Sequence, residues 1–532
     1  MNNIQKQSLP KDWLEGLKEN FSTELTSGFI VFLLALPLSL GIAQASGIPP
    51  IMGAITAIIG GVIASFFTGS KLAIKGPAAG LIVIVSGAVS EMGGGVEGWK
   101  MAAGIMVVAG LIQILFGVVK LGKYVDFFPL SAIHGMLAAI GLIIIAKQIP
   151  VLLSDNPILF KGESPFELFY DIPEFILNLD PRATFIGVVC LIIMFGWRMI
   201  KHKIISKIPA PLIVLLFAVP AATYMNFSAS EPEYSLVKVG SLIDNLAINA
   251  NFMGINHTGV FIKYLIMFAL VGSLESLLTV KAIDLLDPYK RKSNPNQDLI
   301  AIGIGNTLTA ILGGYPMISE VARSSANVKN GAKTRWANFF HGTFLLIFLL
   351  AAYHILEMIP NAALAAMLIY VGFNLAHPKE FIHMFKVGKD QLAMFLTTII
   401  VTLAEDLLVG IAAGILLKFV FHLLRGVNFR DLFKASVETK QHGDNYIVSV
   451  NSSGLFSNFL GFKKYIEAIP NGKNITVEFL DTVKLIDHSF IDDLYRFQYD
   501  YELEGGTLTI EGLDKLTPIS QHKLAVHKKV IR

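Results

Sequence analysis

These 532 residues read as an all-α membrane protein of about fourteen segments in a seven-plus-seven inverted repeat, followed by a small cytoplasmic α/β domain. Three observations carry that reading. First, only 16% of residues are charged and mean hydropathy is +0.60. A soluble domain carries roughly 25% charge, and several apolar runs here reach the ~20 residues that cross a bilayer. Second, Pro129, Met136 and Gly141 recur with the same spacing as Pro360, Met367 and Gly372, and Gly61 and Gly69 before the third segment correspond to Gly305 and Gly313 before the tenth. A unit of seven segments repeated after an odd number of crossings runs in the opposite direction, which is the inverted plan of secondary transporters. Third, beyond Leu424 the pattern changes to alternating strands from Tyr446, Asn474 and Thr507, separated by helical patterns at 456–468 and 490–503. This is a β-α-β-α-β order within a domain spanning 436–532.

In order, apolar runs fall at about 26–44, 48–67, 76–90, 101–119, 128–147, 183–199 and 209–224 in the first half. The second half gives about 258–280, 298–312, 318–329, 338–356, 361–374, 390–404 and 407–424. Residues 1–25, with Lys6, Lys11, Asp12, Glu15, Lys18 and Glu19, form a polar, amphipathic N-terminal segment unlike a signal peptide. If that segment is cytoplasmic, the clusters Lys120/Lys123, Arg198/Lys201/Lys203/Lys207, Lys290/Arg291/Lys292, Lys329/Lys333/Arg335 and Lys379/Lys386/Lys389 all fall inside. The acid-rich loops Asp155 to Asp180 and Glu231 to Asp244 then fall outside. The expectation is a multi-pass protein of the inner (plasma) membrane with both termini cytoplasmic and the lipid bilayer as its partner. A net charge of +3 spread over loops argues against nucleic acid. Cys190, the only cysteine, sits in an apolar run as a packing residue, and no Cys/His spacing suggests a metal. No nucleophile, metal cluster or phosphate loop supports an enzyme.

The tenth run is the unusual one. From Gly313 to Arg335, GGYPMISEVARSSANVKNGAKTR, it holds Pro316, Ser319, Glu320, Arg323, Ser324, Ser325 and Asn327, too many polar groups for a full span in hydrocarbon. A short helix starting near Met317 or Ile318, approached by non-helical backbone, tolerates them if it lines a cavity; a polar external loop is the alternative. The repeat pairs it with GSKLAIKGPAAGLIVIVSG, where Gly76 and Pro77 are read as opening a helix, Pro being well placed in a first turn. Two half-helices then aim their N-termini at each other near the midplane, an arrangement that suits an anion.

The runs ALPLSLGIAQASGIPPIMG, KGPAAGLIVIVSG, VGSLESLLTVKAIDLLDP and ARSSANVKNGAKT, in that order, resemble the sulfate permease (SulP) family of anion transporters, and within it the bacterial branch that includes carbonic anhydrase fusions. The resemblance covers roughly residues 20–425. It implies a core domain (segments one to four and eight to eleven), a gate domain, and a transporter domain at 26–425. The C-terminal region resembles the STAS domain of that family. Its phosphorylation-type Asp-Ser-Ser-Gly motif is here Asp487, His488, Ser489, Phe490, which favours a structural role in a homodimer built on the STAS and gate regions.

The resemblance also places the substrate anion between segments three and ten, at Gly76, Pro77 and Ala78 on one side and Ala322, Arg323, Ser324 and Ser325 on the other, with Ile42 walling the pocket. Arg323 matches a positive residue that faces the anion in the family; a structural pairing with a helix-end carbonyl is its alternative. Ser319, Ser324 and Ser325 could donate to oxyanion oxygens, and Ser319 could equally cap a helix. Glu275 and Thr279, four apart and so on one helix face, match the family's coupling-ion position. Carboxylate plus hydroxyl suits Na⁺, a lone desolvated carboxyl suits H⁺, and both remain open beside a structural Glu275. Lys75 and Glu320 are read as a possible ion pair behind the site, with Lys75 opposite Ser319. His134 and His341 are read as satisfied bundle histidines.

No cofactor is expected beyond Na⁺ or H⁺ as coupling ion. The expected function is secondary active symport of a small inorganic oxyanion, bicarbonate favoured and sulfate the runner-up. An uncoupled exchanger or channel, which would not need Glu275, is the second class, and a membrane-anchored sensor the third.

Overall fold

The computed structural model describes residues 9–123, 129–153, 164–197, 199–200, 208–227, 236–405, 407–503 and 505–529. Lys6, the Arg198 to Lys207 cluster, Asp155 and Glu231 lie outside them. Fourteen helices follow the fourteen apolar runs. They are α1 Trp13–Ala45, α2 Pro50–Phe67, α3 Ala79–Glu91, α4 Gly95–Val118, α5 Leu130–Leu153, α6 Pro181–Trp197 and α7 Ala210–Tyr224, then α8 Thr258–Leu286, α9 Pro295–Ile311, α10 Val321–Lys329, α11 Trp336–Leu356, α12 Asn361–Leu375, α13 Lys389–Ala404 and α14 Leu407–Leu424. Seven of these (α1, α2, α4, α5, α8, α11 and α14) are long and apolar enough to cross a membrane. Large apolar side chains such as Leu111, Leu115, Ile347, Leu350 and Leu416 stay exposed on them, as a lipid-facing surface requires.

The chain forms two compact units, Met1–Lys123 with Ile140–Leu375, and Tyr124–Ala139 with Ala376–Arg532. The first unit is held by glycines that let helices touch. Gly61 of α2 lies against Gly342 of α11, Gly303 of α9 against Gly110 of α4, and Gly372 of α12 against the Gly141 carbonyl of α5, so one pair of repeat-related glycines packs on each other. In each case an added Cβ would come within 2.6 to 2.8 Å of a backbone atom of the facing glycine. α1 begins at Trp13 rather than after residue 25 and runs 33 residues. Its start is fixed by Asp12, which caps Trp13 and accepts from Arg335 at 2.7 Å and from Lys71, while Arg335 stacks on Trp13 at 4.5 Å.

In the second unit α13 and α14 accompany an α/β domain. Strands β3 Val437–His442, β4 Asn445–Val450, β5 Asn474–Phe479 and β6 Thr507–Glu511 form one sheet in that order, with helices α15 Phe459–Glu467 and α16 His488–Leu503 as crossovers. The expected β-α-β-α-β order is present as β4-α15-β5-α16-β6 with parallel pairing. β3, an antiparallel addition at the edge, lay outside the expectation because its exposed, polar residues carry no alternation.

A buried ionic cluster joins α14 to this domain. The Lys418 ammonium lies 3.3 Å from Asp487, donates to Ser489 Oγ at 3.0 Å and sits 4.4 Å from the Phe456 ring. Asp487 also accepts from the backbone of Phe456 at 2.9 Å and of Phe490 at 2.7 Å, capping α16. Ser489 is thereby closed off. Burial disfavours the Asp487 charge, yet Lys418, His422 and the two backbone donors outweigh it and hold the carboxyl below its ordinary 3.8. Its stabilisation is therefore intact above pH 3.8 and lost as pH falls below that value. Asp487→Ala leaves Lys418 uncompensated and is expected to cost about 3 to 5 kcal/mol, read as a lower denaturation midpoint.

Candidate functional site

The site is organised by two short strands within the first compact unit. β1 Lys75–Pro77 pairs antiparallel with β2 Met317–Ser319, in the register Lys75 to Ser319, Gly76 to Ile318 and Pro77 to Met317. The placement of Lys75 opposite Ser319 is as expected. The helix starts are not: α3 begins at Ala79 instead of at Gly76 or Pro77, and α10 at Val321 instead of at Met317 or Ile318. The ladder explains both corrections. Backbone groups inside a membrane must be satisfied internally, and pairing the two approach segments satisfies groups that earlier helix starts would leave open. The strands being antiparallel, α3 and α10 leave them in opposite directions, each with its N-terminus at the strand pair.

Side chains brace this backbone. Met317 donates its N–H to Asn306 Oδ1 at 2.6 Å and accepts from Asn306 Nδ2 at 3.1 Å, and Gln113 Oε1 holds the same amide at 2.8 Å. Tyr315 donates its backbone N–H to Thr56 at 2.8 Å and its hydroxyl to the Ala78 carbonyl at 3.0 Å. α2 widens to a π-turn at Gly60–Ala64 where β1 passes, and Asn338 donates to the freed Gly60 carbonyl at 3.1 Å. Gly313, with φ at +80°, makes the left-handed turn out of α9, and Trp99 donates to its carbonyl at 2.7 Å.

Two ionisable groups stand at the half-helix ends with unused bonding capacity. Arg323 is buried, and none of Nε, Nη1 and Nη2 has a hydrogen-bond partner among the described residues. Its guanidinium lies against Gly76, where an added Cβ would collide with Nη1. Glu275 of α8 is buried with Oε1 unpartnered and lies against Gly80, in the first turn of α3, where a Cβ would collide with the carboxylate. Thr279 is buried one turn along α8. Ala78 and Ile42 are buried, Pro77 lies in β1, Ser325 is half-buried, and Ala322 is exposed at the start of α10.

Three expected groups are otherwise engaged. Ser324 Oγ donates to the Glu320 carbonyl at 2.5 Å and accepts from Ile74 N at 2.9 Å, so it ties α10 to the approach of β1. Glu320 does not pair with Lys75. Its carboxylate caps α10 by accepting Arg323 N at 2.7 Å, at 3.9 Å from Nε. Lys75 instead pairs with Asp298 at 2.6 Å, both fully buried, and donates to Ser319 Oγ at 2.9 Å. Strand alternation is the reason: Gly76 faces Arg323, so Lys75 points to the opposite side, toward α9. Asp298 also accepts from Thr68 at 3.0 Å, Ser276 at 3.1 Å and Ser319 at 3.2 Å, and sits in the first turn of α9, where an acid is favoured. His134 is satisfied by Glu380 at 2.9 Å, whereas His341 is buried with neither ring nitrogen bonded, against expectation.

Residues 21–400 match the sequence model of the Sulfate permease family. Among similar proteins, a putative sulfate transporter of Bacillus subtilis, YvdB, is 29% identical over 420 residues, 76% of this chain and 74% of that protein. The bicarbonate transporter BicA of Picosynechococcus is 24% identical over 80% of this chain and 74% of its own. The transmembrane domain of a cyanobacterial BicA superposes with a TM-score of 0.63 at 23% identity, over 74% of this chain and 97% of that one. Murine Slc26a9 in the inward-facing state gives 0.68 at 15% identity, over 95% and 86%. The inverted pair of half-helices is thus set in a fold of known transporters, and a match across nearly the whole membrane region makes this chain a member of the sulfate permease family of anion transporters.

Proposed function

We propose that the protein is a secondary active symporter of a small inorganic oxyanion, with bicarbonate preferred over sulfate and Na⁺ or H⁺ as the coupling ion at Glu275. One observation carries this reading: Arg323, a buried guanidinium with three unpartnered nitrogens where two half-helix N-termini meet. A guanidinium in a membrane interior with an acid only at 3.9 Å and no hydrogen bond to it is costly, and an anion satisfies both it and the helix ends. Of the contacts that the resemblance assigns to the anion, Gly76, Pro77, Ala78, Ala322 and Ser325 belong to the proposal with Arg323 and Ile42, while Ser324 acts as a brace. Bicarbonate is favoured because relatives include proteins named as bicarbonate transporters, and because it offers acceptors to the guanidinium fork and carries one O–H besides. Sulfate has acceptors only. It remains the second reading because relatives include proteins named as putative sulfate transporters.

Arg323→Ala tests the assignment. Charge-assisted hydrogen bonds contribute about 1.5 to 3 kcal/mol, so anion affinity should fall roughly 10- to 150-fold. Anion-dependent thermal stabilisation of the purified protein reads this directly. Arg323→Lys should recover only part of the loss, because an ammonium lacks the planar fork. An alanine variant stabilised by bicarbonate at wild-type concentrations would remove Arg323 from the site.

A further inference from the structure

Lys147 is a cation inside a membrane helix that the anion site does not use. It lies in the C-terminal half of α5, which contains no acidic residue. Its ammonium donates to Ser86 Oγ of α3 at 2.9 Å, its only partner among the described residues. Ser86 in turn donates its proton to the Val83 carbonyl at 3.1 Å, which leaves the hydroxyl lone pairs turned to the lysine. The one acid on α3, Glu91, is engaged elsewhere. It accepts from the Tyr264 hydroxyl at 2.6 Å and the Lys263 ammonium at 2.9 Å, both on α8, and Gly87, one turn earlier, abuts Tyr264. Lys147 is thus half-buried in a helix of the bilayer with no acid paired to it among the described residues, a position that is functional by default.

Its place along the chain is informative. α3 is the half-helix whose N-terminus meets the anion, and Ser86 lies seven residues past Ala79, roughly 10 Å farther along the axis at ~1.5 Å per residue. α4 starts just after α3 ends and α5 follows α4, so the C-terminal ends of α3 and α5 reach the same membrane face. Ser86 shares one helical side with Val83 and Ser90, and these three are half-buried or exposed while Ile82, Ile84 and Val85 are buried.

We propose that Lys147 forms a second anion station between the half-helix site and that face, with the transported oxyanion as its ligand. Ser86 holds the ammonium while the station is empty, and an arriving anion takes its place. This rests on the anion-transport reading above. The station supplies a cation where the low dielectric of the bilayer would otherwise repel an anion on its way to Arg323.

The full-length protein in proteoliposomes tests it, with labelled bicarbonate and labelled sulfate as probes. For substrate offered at the face where α3 and α5 end, Lys147→Met is expected to raise KM about tenfold or more, the loss of one charge-assisted contact, with kcat changing less. Lys147→Arg should restore most of the affinity, and Ser86→Ala should leave KM unchanged or lower. A Lys147→Met protein with wild-type KM overturns the station while leaving the transport reading intact. Absence of saturable flux in the wild type would instead sink that reading. A transport-free assay decides the matter if a variant moves nothing. Cys190, the only native cysteine, is buried, so Ser86→Cys in a Cys190→Ser background offers one reactive thiol beside an intact Lys147. Bicarbonate or sulfate should slow its modification by an anionic methanethiosulfonate several-fold; a rate indifferent to both anions overturns the station.

Discussion

Glu275→Gln is expected to abolish gradient-driven accumulation of the anion, while the protein still inserts and melts close to the wild type. The carboxylate is buried in α8 with Oε1 unpartnered, and it lies beside the first turn of α3. A carboxylate so placed needs a cation or a proton, and under the proposed symport whichever supplies it moves with the anion. The amide keeps the volume but can neither bind Na⁺ as a charged ligand nor carry a titrating proton. Downhill exchange can survive the change; uphill uptake cannot. Gly80→Ala should mimic part of the loss, because its Cβ would collide with the same carboxylate. Undiminished accumulation in Glu275→Gln under an imposed gradient removes the coupling role.

The second large effect is on stability. Lys75→Ala and Asp298→Ala are each expected to cost about 3 to 5 kcal/mol, because each leaves a charge buried without its partner. The pair is fully buried at 2.6 Å and carries three hydroxyl donors on Asp298, so neither charge reaches water when the other is lost. The double change should cost clearly less than the sum of the two, a coupling that a double-mutant cycle on denaturation midpoints measures. Strictly additive losses would mean that the two groups do not hold each other. Glu320→Ala should cost about 1 kcal/mol, the loss of a helix cap, and should not couple to Lys75.

Much of this arrangement was open to reading because glycine and proline mark backbone that cannot be ordinary helix. Gly313, Gly314 and Pro316 signalled the break in the tenth segment, and the repeated spacing carried the alignment that set Lys75 opposite Ser319. Local signals end there. The partner of Lys75 lies 223 residues away, at the edge of an apolar run where Asp298 looks like a loop residue capping a helix. Glu320 was the nearer acid in the aligned repeat, and only the side alternation of a strand excludes it. That alternation cannot be seen while Gly76, Pro77 and Ile318 look like the first turns of helices. Lys147 carried no flag, and His341 looked like a satisfied bundle histidine, since a single polar residue in an apolar run looks the same whether it meets a partner or a pathway.

Coupled transport of a small oxyanion is decided by uptake into proteoliposomes. The purified wild-type protein is reconstituted, and labelled bicarbonate and labelled sulfate are offered under an imposed Na⁺ gradient, an imposed H⁺ gradient, or neither. Symport through Glu275 requires accumulation of bicarbonate above its equilibrium level under one of the two gradients, collapse of that accumulation when an ionophore dissipates the gradient, and loss of it in Glu275→Gln. Flux of both anions only down their own gradients, indifferent to Na⁺, to H⁺ and to Glu275, would contradict it.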